Sequence, residues 1–260
     1  MSKWMGAALG AVLLFGLTAP GRAAESTDTP AAVKTDPAPA ISKEASVLLD
    51  KAIQALGGEE KLNKAKSLSW KSKSTITFNG NDNDVTTETT EQDFDHFRET
   101  FDANFGGNAI KGLTVLAGDK GWRDFGDNHM DMDKDAIVNQ KRTVYLNVIP
   151  ATLVALKGKD FKVEPLATDA TGIKVTPTDG KEFSLYFDKD TGLPARLVAK
   201  VVGFMGDEFT QETTFSDYKD MAGIKKATKV VSKRNGEKFM DQQITEFTVL
   251  DKVDPKLFAP

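Results

Sequence analysis

The chain of 260 residues contains no cysteine. Disulfides, thiolate metal sites and cysteine nucleophiles are therefore excluded, as is lipid attachment of the bacterial lipoprotein type, and stability must come from an apolar core. Histidine is nearly absent too, with only His96 and His129. The first stands in a strand near Phe94 and Phe97 and the second in a polar turn, so no histidine metal or acid/base couple is expected. No Gly-x-Ser-x-Gly elbow, phosphate-cradling loop or His-Glu-x-x-His occurs. Asp131-Met132-Asp133-Lys134-Asp135 and Asp188-Lys189-Asp190-Thr191-Gly192 place oxygens at alternate positions, but neither has the glycine and distal acid that a calcium loop uses. Helix capping and turn formation account for them, and no metal or other cofactor is expected. A surplus of positive charge is also missing: the formal net charge is −4. Such a chain lacks the electrostatic footprint of a nucleic-acid binder.

Long apolar runs are lacking except at the N-terminus. There Lys3 precedes an apolar core from Met5 to Leu17, with Pro20, Gly21 and Ala23 following. The run is shorter than the roughly 20 residues of a spanning helix. It reads as a signal peptide over residues 1–23, cleaved after Ala23 or Ala24. Residues 24–40 are mostly Ser, Thr, Asp, Pro and Ala with little to bury, and read as a disordered linker. A single folded domain over 41–260 is expected, exported to the periplasm or secreted, with no stable transmembrane segment after cleavage.

What is present is mostly strand. From Thr171 to Leu250 five or six strands follow one another, joined by turn signals such as Asp179-Gly180, Asp188 to Pro194 and Asn235-Gly236. Asn-Gly and Asp-Gly supply the positive φ of tight hairpins, so each join predicts an antiparallel neighbour. Phe183, Leu185 and Phe187 share one face, and Leu197, Ala199 and Val201 oppose Arg196 and Lys200. One face is buried and the other wet. Earlier, Leu68, Trp70, Ser72, Ser74, Ile76 and Phe78 alternate with Ser69, Lys71, Lys73, Thr75 and Thr77, and strands near 85–92, 96–101, 110–116 and 122–125 continue the series.

Helical periodicity is confined to three places. Val47, Leu48, Leu49, Ala52, Ile53 and Leu56 recur at helical spacing behind a cap at Ser42 and ahead of Gly57-Gly58, and a short helix runs from Glu59 to Lys66. Between Asp131 and Gly158 the stripe Ile137, Val144, Val148 predicts another helix, with Pro150 expected to break it and start a second. A twisted antiparallel sheet this long curls. The fold class expected is mainly β (α+β): a half-open β-barrel of about ten to eleven strands with helices covering the concave side. Helices there either leave an apolar cavity or fill it, and Trp70, Trp122, Tyr145, Phe183, Leu185 and Phe209 are the residues expected to line one.

Ala52 to Leu62 (Ala-Ile-Gln-Ala-Leu-Gly-Gly-Glu-Glu-Lys-Leu), Lys66-Ser67-Leu68, Gly118 to Trp122, Leu185 to Pro194, Ser216-Asp217-Tyr218 and Phe258-Ala259-Pro260 together resemble the LolA/LolB-like superfamily of exported bacterial lipoprotein-sorting proteins, in a divergent branch. The likeness covers nearly all of 41–260. It implies a half-open antiparallel barrel closed by helices, with acyl chains carried between them. Carriers of this kind use an arginine near the lid; Arg98, Arg123 and Arg142 stand in no matching motif, so no ligand residue is carried over. The expected function is non-catalytic: a monomeric periplasmic carrier for a lipid, lipoprotein acyl chain or other hydrophobic ligand, working beside envelope membrane proteins. The alternative is a filled barrel serving as a structural or protein-interaction domain of the envelope.

Overall fold

In the first half of the described sequence, alternating strands are joined by hairpins too short for any crossover, so each strand pairs with the next. The computed structural model describes residues 41–259 apart from Asn79, Gly106, Phe204 and Met205. The expected signal peptide over 1–23 and the expected linker over 24–40 lie outside the described residues. Strands β1 (Ser67–Phe78), β2 (Asn81–Gln92), β3 (His96–Phe105), β4 (Asn108–Ala117), β5 (Lys120–Phe125) and β6 (Asn128–Asp131) form one meander. A second contains β7 (Phe161–Leu166), β8 (Asp169–Pro177), β9 (Phe183–Phe187), β10 (Pro194–Val202), β11 (Glu208–Met221), β12 (Ile224–Arg234) and β13 (Glu237–Val249). The two join where β13 pairs antiparallel with β1, Trp70 opposite Phe247, giving one curled sheet of thirteen described strands. β6 and β7 are its two edges, so the barrel stays open.

The strand absent from the expected series is β6. All four of its residues are exposed, so it carries no alternation by which it could be read.

Helix α1 (Lys43–Leu56) starts where the Ala45 amide donates to the Ser42 side chain at 3.2 Å, and stops at Gly57, whose φ of 133° suits glycine alone. Its buried face, Ala45, Leu49, Ala52, Ile53 and Leu56, lies on β7, β8 and β12. Helix α2 (Glu59–Lys64) follows. Helix α3 (Lys134–Thr152) links the two meanders, capped by Asp133, which accepts from the Ala136 amide at 2.8 Å. The expected break at Pro150 does not occur. The helix runs through the proline and ends at Leu153, which takes a left-handed conformation and donates to the Ile149 carbonyl at 2.8 Å. The residues beyond form a 3₁₀ turn, Val154–Lys157.

The core is asymmetric. Leu49, Ile53, Leu56, Ile149 and Leu156 from the helices meet Val163, Ile173, Val175, Leu185 and Leu197 from the second meander, and most of these side chains are fully buried. Each contributes about 1.5–3 kcal/mol on leaving water. One half of the concavity is therefore solid. A second, smaller cluster of Val115, Trp122 and Phe258 lies on the outer side of β4 and β5.

Candidate ligand cavity

The other half of the concavity is hollow. It encloses about 890 Å³ between the concave faces of β1–β4 and β11–β13 and one side of α3, a size ordinary for small-molecule sites. Alternation decides which side chains enter it. On β1 these are Trp70, Ser74, Ile76 and Phe78, and on β3 Glu99, Phe101, Ala103 and Phe105. Leu146, Asn147, Pro150 and Ala151 close the side formed by α3. The proline that was expected to end that helix is thus a wall of the cavity.

The long axis follows the strands, and its two ends differ. At one end the β1–β2, β3–β4, β5–β6 and β12–β13 hairpins form a rim. Three of these hairpins begin in the same way, a phenylalanine at the strand end followed by glycine within two residues: Phe78 before Gly80, Phe105 before Gly107, Phe125 before Gly126. All three phenylalanines line the cavity, and Phe78 is 56% exposed. From Phe78 to Trp70 the wall spans eight residue steps along β1, roughly 26 Å at strand rise. Midway, Gly112 lies directly across from Phe101; a Cβ there would stand 2.2 Å from the Phe101 ring, so only glycine lets that ring lie flat against β4.

Several polar wall residues, among them Thr87, Thr213, Ser232 and Gln242, are paired with polar neighbours. Ser72 and Thr87 hydroxyls are 2.8 Å apart, the Gln242 amide donates to Ser72 Oγ at 3.0 Å, and the Thr213 and Ser232 hydroxyls are 3.0 Å apart. The middle of the cavity consequently presents few open hydrogen-bonding groups.

The far end is charged. Lys226 lines it, with Nζ 5.7 Å from the centre of the Trp70 ring and 5.3 Å from that of Phe247. Among the described residues its ammonium has no hydrogen-bond acceptor or ion-pair partner. Lys226 keeps some accessible surface, but this surface opens on the cavity, and the enclosing protein pushes its pKa down to about 8, with Glu91 opposing the shift. Glu99, also in the wall, accepts from Thr89 Oγ1 at 2.9 Å and is held above the usual carboxylate range by burial. Glu91 is 1% exposed, and neither of its carboxyl oxygens has a hydrogen bond of standard geometry. Burial first and the Asp93 charge second push it up to about 8, against the attraction of Lys226 and the nearby Phe94 amide. Burial thus favours the neutral form of both groups, and their mutual attraction opposes it in each. The Tyr218 hydroxyl, also in the wall, donates to the Pro194 carbonyl at 2.6 Å.

Of the residues expected to line a cavity, Trp70 lies in its wall. Tyr145, Phe183 and Leu185 fill the solid half, with the Tyr145 ring 6.0 Å from Phe183 and 6.4 Å from Phe161. Trp122 packs on the outer side with Val115 and Phe258. Phe209 is half-buried, 5.2 Å beneath the Arg234 guanidinium. Arg142 is a buried clamp in the solid half: it donates to the carbonyls of Lys181 (2.6 Å), Lys200 (2.9 Å) and Glu182 (3.2 Å) and to the Tyr145 hydroxyl (2.7 Å). The two aspartate-rich stretches serve as a helix cap at Asp133 and as a turn in which Asp188 Oδ1 accepts from the Asp190 and Thr191 amides. His96 lies tilted against Phe258 with ring centres 5.2 Å apart, and His129, on the exposed strand β6 and not in a turn, has Nδ1 2.6 Å from Asp124. Sequence reasoning passed over Glu91, Glu99 and Lys226. Glu99 did carry a signal, since it shares the inward phase of Phe97 and Phe101 on β3.

No family model matches the chain, and no curated protein sequence does. Among solved structures, a LolA superfamily protein from Nitrosomonas europaea superposes over 83% of this chain and 97% of its own, with a TM-score of 0.53 at 8% identity. A DUF1329 family protein from Desulfovibrio piger aligns over 84% of this chain and 98% of its own, with a TM-score of 0.49 at 13% identity. At such identities a likeness speaks for the fold alone, and the first of these two carries it: the described part of this chain has the LolA-like fold.

Proposed function

We propose that this protein is a non-catalytic binding or carrier protein of the bacterial cell envelope whose hollow half-barrel holds the apolar chain of a lipid, a lipoprotein or a similar hydrophobic molecule. The signal peptide read over 1–23 would export it as a single domain to the periplasm. The observation that carries the reading is the cavity itself, about 890 Å³ with a phenylalanine at three of its rim hairpins and a mid-section in which Thr87, Thr213, Ser232 and Gln242 are already paired. An acyl chain placed there leaves water at about 0.8 kcal/mol per methylene. Trp70, Phe101 and Ile244 are the apolar contacts assigned to it. A filled, protein-binding barrel would have packed both halves of the concavity, and only one is packed.

Titration with Nile red, a neutral apolar dye, tests this reading. The wild-type protein should give saturable, blue-shifted emission with one dye per chain. Ala103→Trp and Val230→Trp fill the cavity from two walls and should each abolish the signal while melting cooperatively. Binding that survives both substitutions, or none in the wild type, would refute the cavity as the binding site.

A further inference from the structure

We infer that the cavity is built for a chain with a monoanionic carboxylate head, a free fatty acid, inserted head first so that the carboxylate pairs with Lys226 and the tail runs along β1 toward the rim phenylalanines. The inference rests on the cavity being a hydrophobic binding site and names what it selects.

A purely apolar chain would require no charge at the closed end, yet Lys226 stands there against two aromatic rings, 5.7 and 5.3 Å away, with no acceptor among the described residues. A buried cation in that state is costly unless something pairs with it. Neither of the two buried carboxyls supplies the pair. Glu91 lies beyond ion-pair distance without hydrogen-bond partners, and Glu99 is engaged by Thr89. Burial raises both carboxyls, while Lys226 lines the cavity with its ammonium unengaged. A ligand carboxylate brings one negative charge to one positive charge and restores neutrality in a dry site. A dianionic phosphate would add a second, uncompensated charge near Glu91, and so fits less well. The rim lining is mostly apolar, with Phe78, Phe105 and Met130; its polar groups are Asn128 and, on the β12–β13 hairpin, Arg234, which is already engaged with Gln211 and the Phe239 ring.

Displacement of bound Nile red by laurate, methyl laurate and dodecyl phosphate tests the inference. Laurate should compete at least about tenfold better than the methyl ester, the scale of one charge-assisted hydrogen bond. In Lys226→Met the acid should lose that advantage while the ester competes as before, and Lys226→Arg should keep it. Equal competition by acid and ester in the wild type, or an advantage that persists in Lys226→Met, overturns the role of Lys226 and leaves the hydrophobic cavity standing. Dodecyl phosphate outcompeting laurate overturns the carboxylate. Failure of all three amphiphiles to displace a dye that the cavity-filling variants do exclude overturns the fatty acid, and failure of the dye itself to bind would instead fall on the cavity reading.

Discussion

The ammonium of Lys226 lies 5.7 Å from the centre of the Trp70 ring, at the closed end of a cavity whose open end is ringed by phenylalanine. A cation buried against rings recovers only part of its hydration. In the ligand-free protein Lys226→Met should therefore leave stability unchanged or raise it, by about 1–2 kcal/mol. Thermal melts at neutral pH check this, and a clear loss of stability would mean that the charge has a structural partner.

Glu91 makes stability depend on pH. Its carboxyl titrates at about 8 when folded and near its ordinary 4.5 when unfolded. Below about pH 4.5 both states hold the proton and the group costs nothing. As pH rises toward 8 the unfolded chain alone gains charge, so stability falls, and above 8 the loss is complete. At 1.36 kcal/mol per unit the total is on the order of a few kcal/mol. Lys226, lowered from 10.5 to about 8, acts in the higher window, its cost present below 8 and relieved as pH rises toward 10.5. Denaturant unfolding should show Glu91→Gln gaining on the wild type by a few kcal/mol between pH 5 and pH 8. A constant difference over that range would contradict the burial of an unpaired carboxyl.

Arg142 ties α3 to the turn between β8 and β9 and to β10 through three carbonyls. Arg142→Met keeps the volume but leaves those acceptors and the Tyr145 hydroxyl without their donor, for a loss of roughly 3 kcal/mol. Lysine cannot span the same fork and should rescue little of it. Chemical denaturation of the two variants gives the comparison.

On β9 and β10 the two faces should respond oppositely. Phe183→Asp or Leu185→Asp buries an unpaired charge in the solid half, where Leu185 is 0% exposed, and should cost several kcal/mol or prevent folding. Lys200 is exposed and its contact with Glu208 is a surface pair, so Lys200→Asp should stay within about 1 kcal/mol of the wild type. Melting temperatures ranked the other way would reverse the assignment of faces.

Much of this architecture is written locally. Asn-Gly and Asp-Gly turns, one-sided alternation on β9 and β10, and Ser42 ahead of a helical stripe each act within a few residues, and the antiparallel half-barrel follows from them. Strand β6 stayed hidden because all four of its residues are exposed and show no alternation, and Pro150 misled because helix α3 accommodates it as a cavity wall. The site was less legible for a different reason. Alternation says that Phe183 and Trp70 both point inward, but whether the space they face is filled depends on where two distant helices settle. Phe183 meets Tyr145 of α3, and Trp70 meets the cavity. Lys226 looked like one charge among many because its burial is created by β1 and β13, strands remote from or later than it in sequence.

The central claim, that the hollow half of this barrel holds an apolar chain, is tested most directly by mass spectrometry. The protein would be purified without detergent from the periplasm of expressing cells and then extracted with organic solvent. The account predicts a co-purifying acyl-bearing molecule in near-stoichiometric amount, absent from Val230→Trp prepared in the same way. A wild-type protein free of any such molecule that also fails to take one up when offered would contradict it.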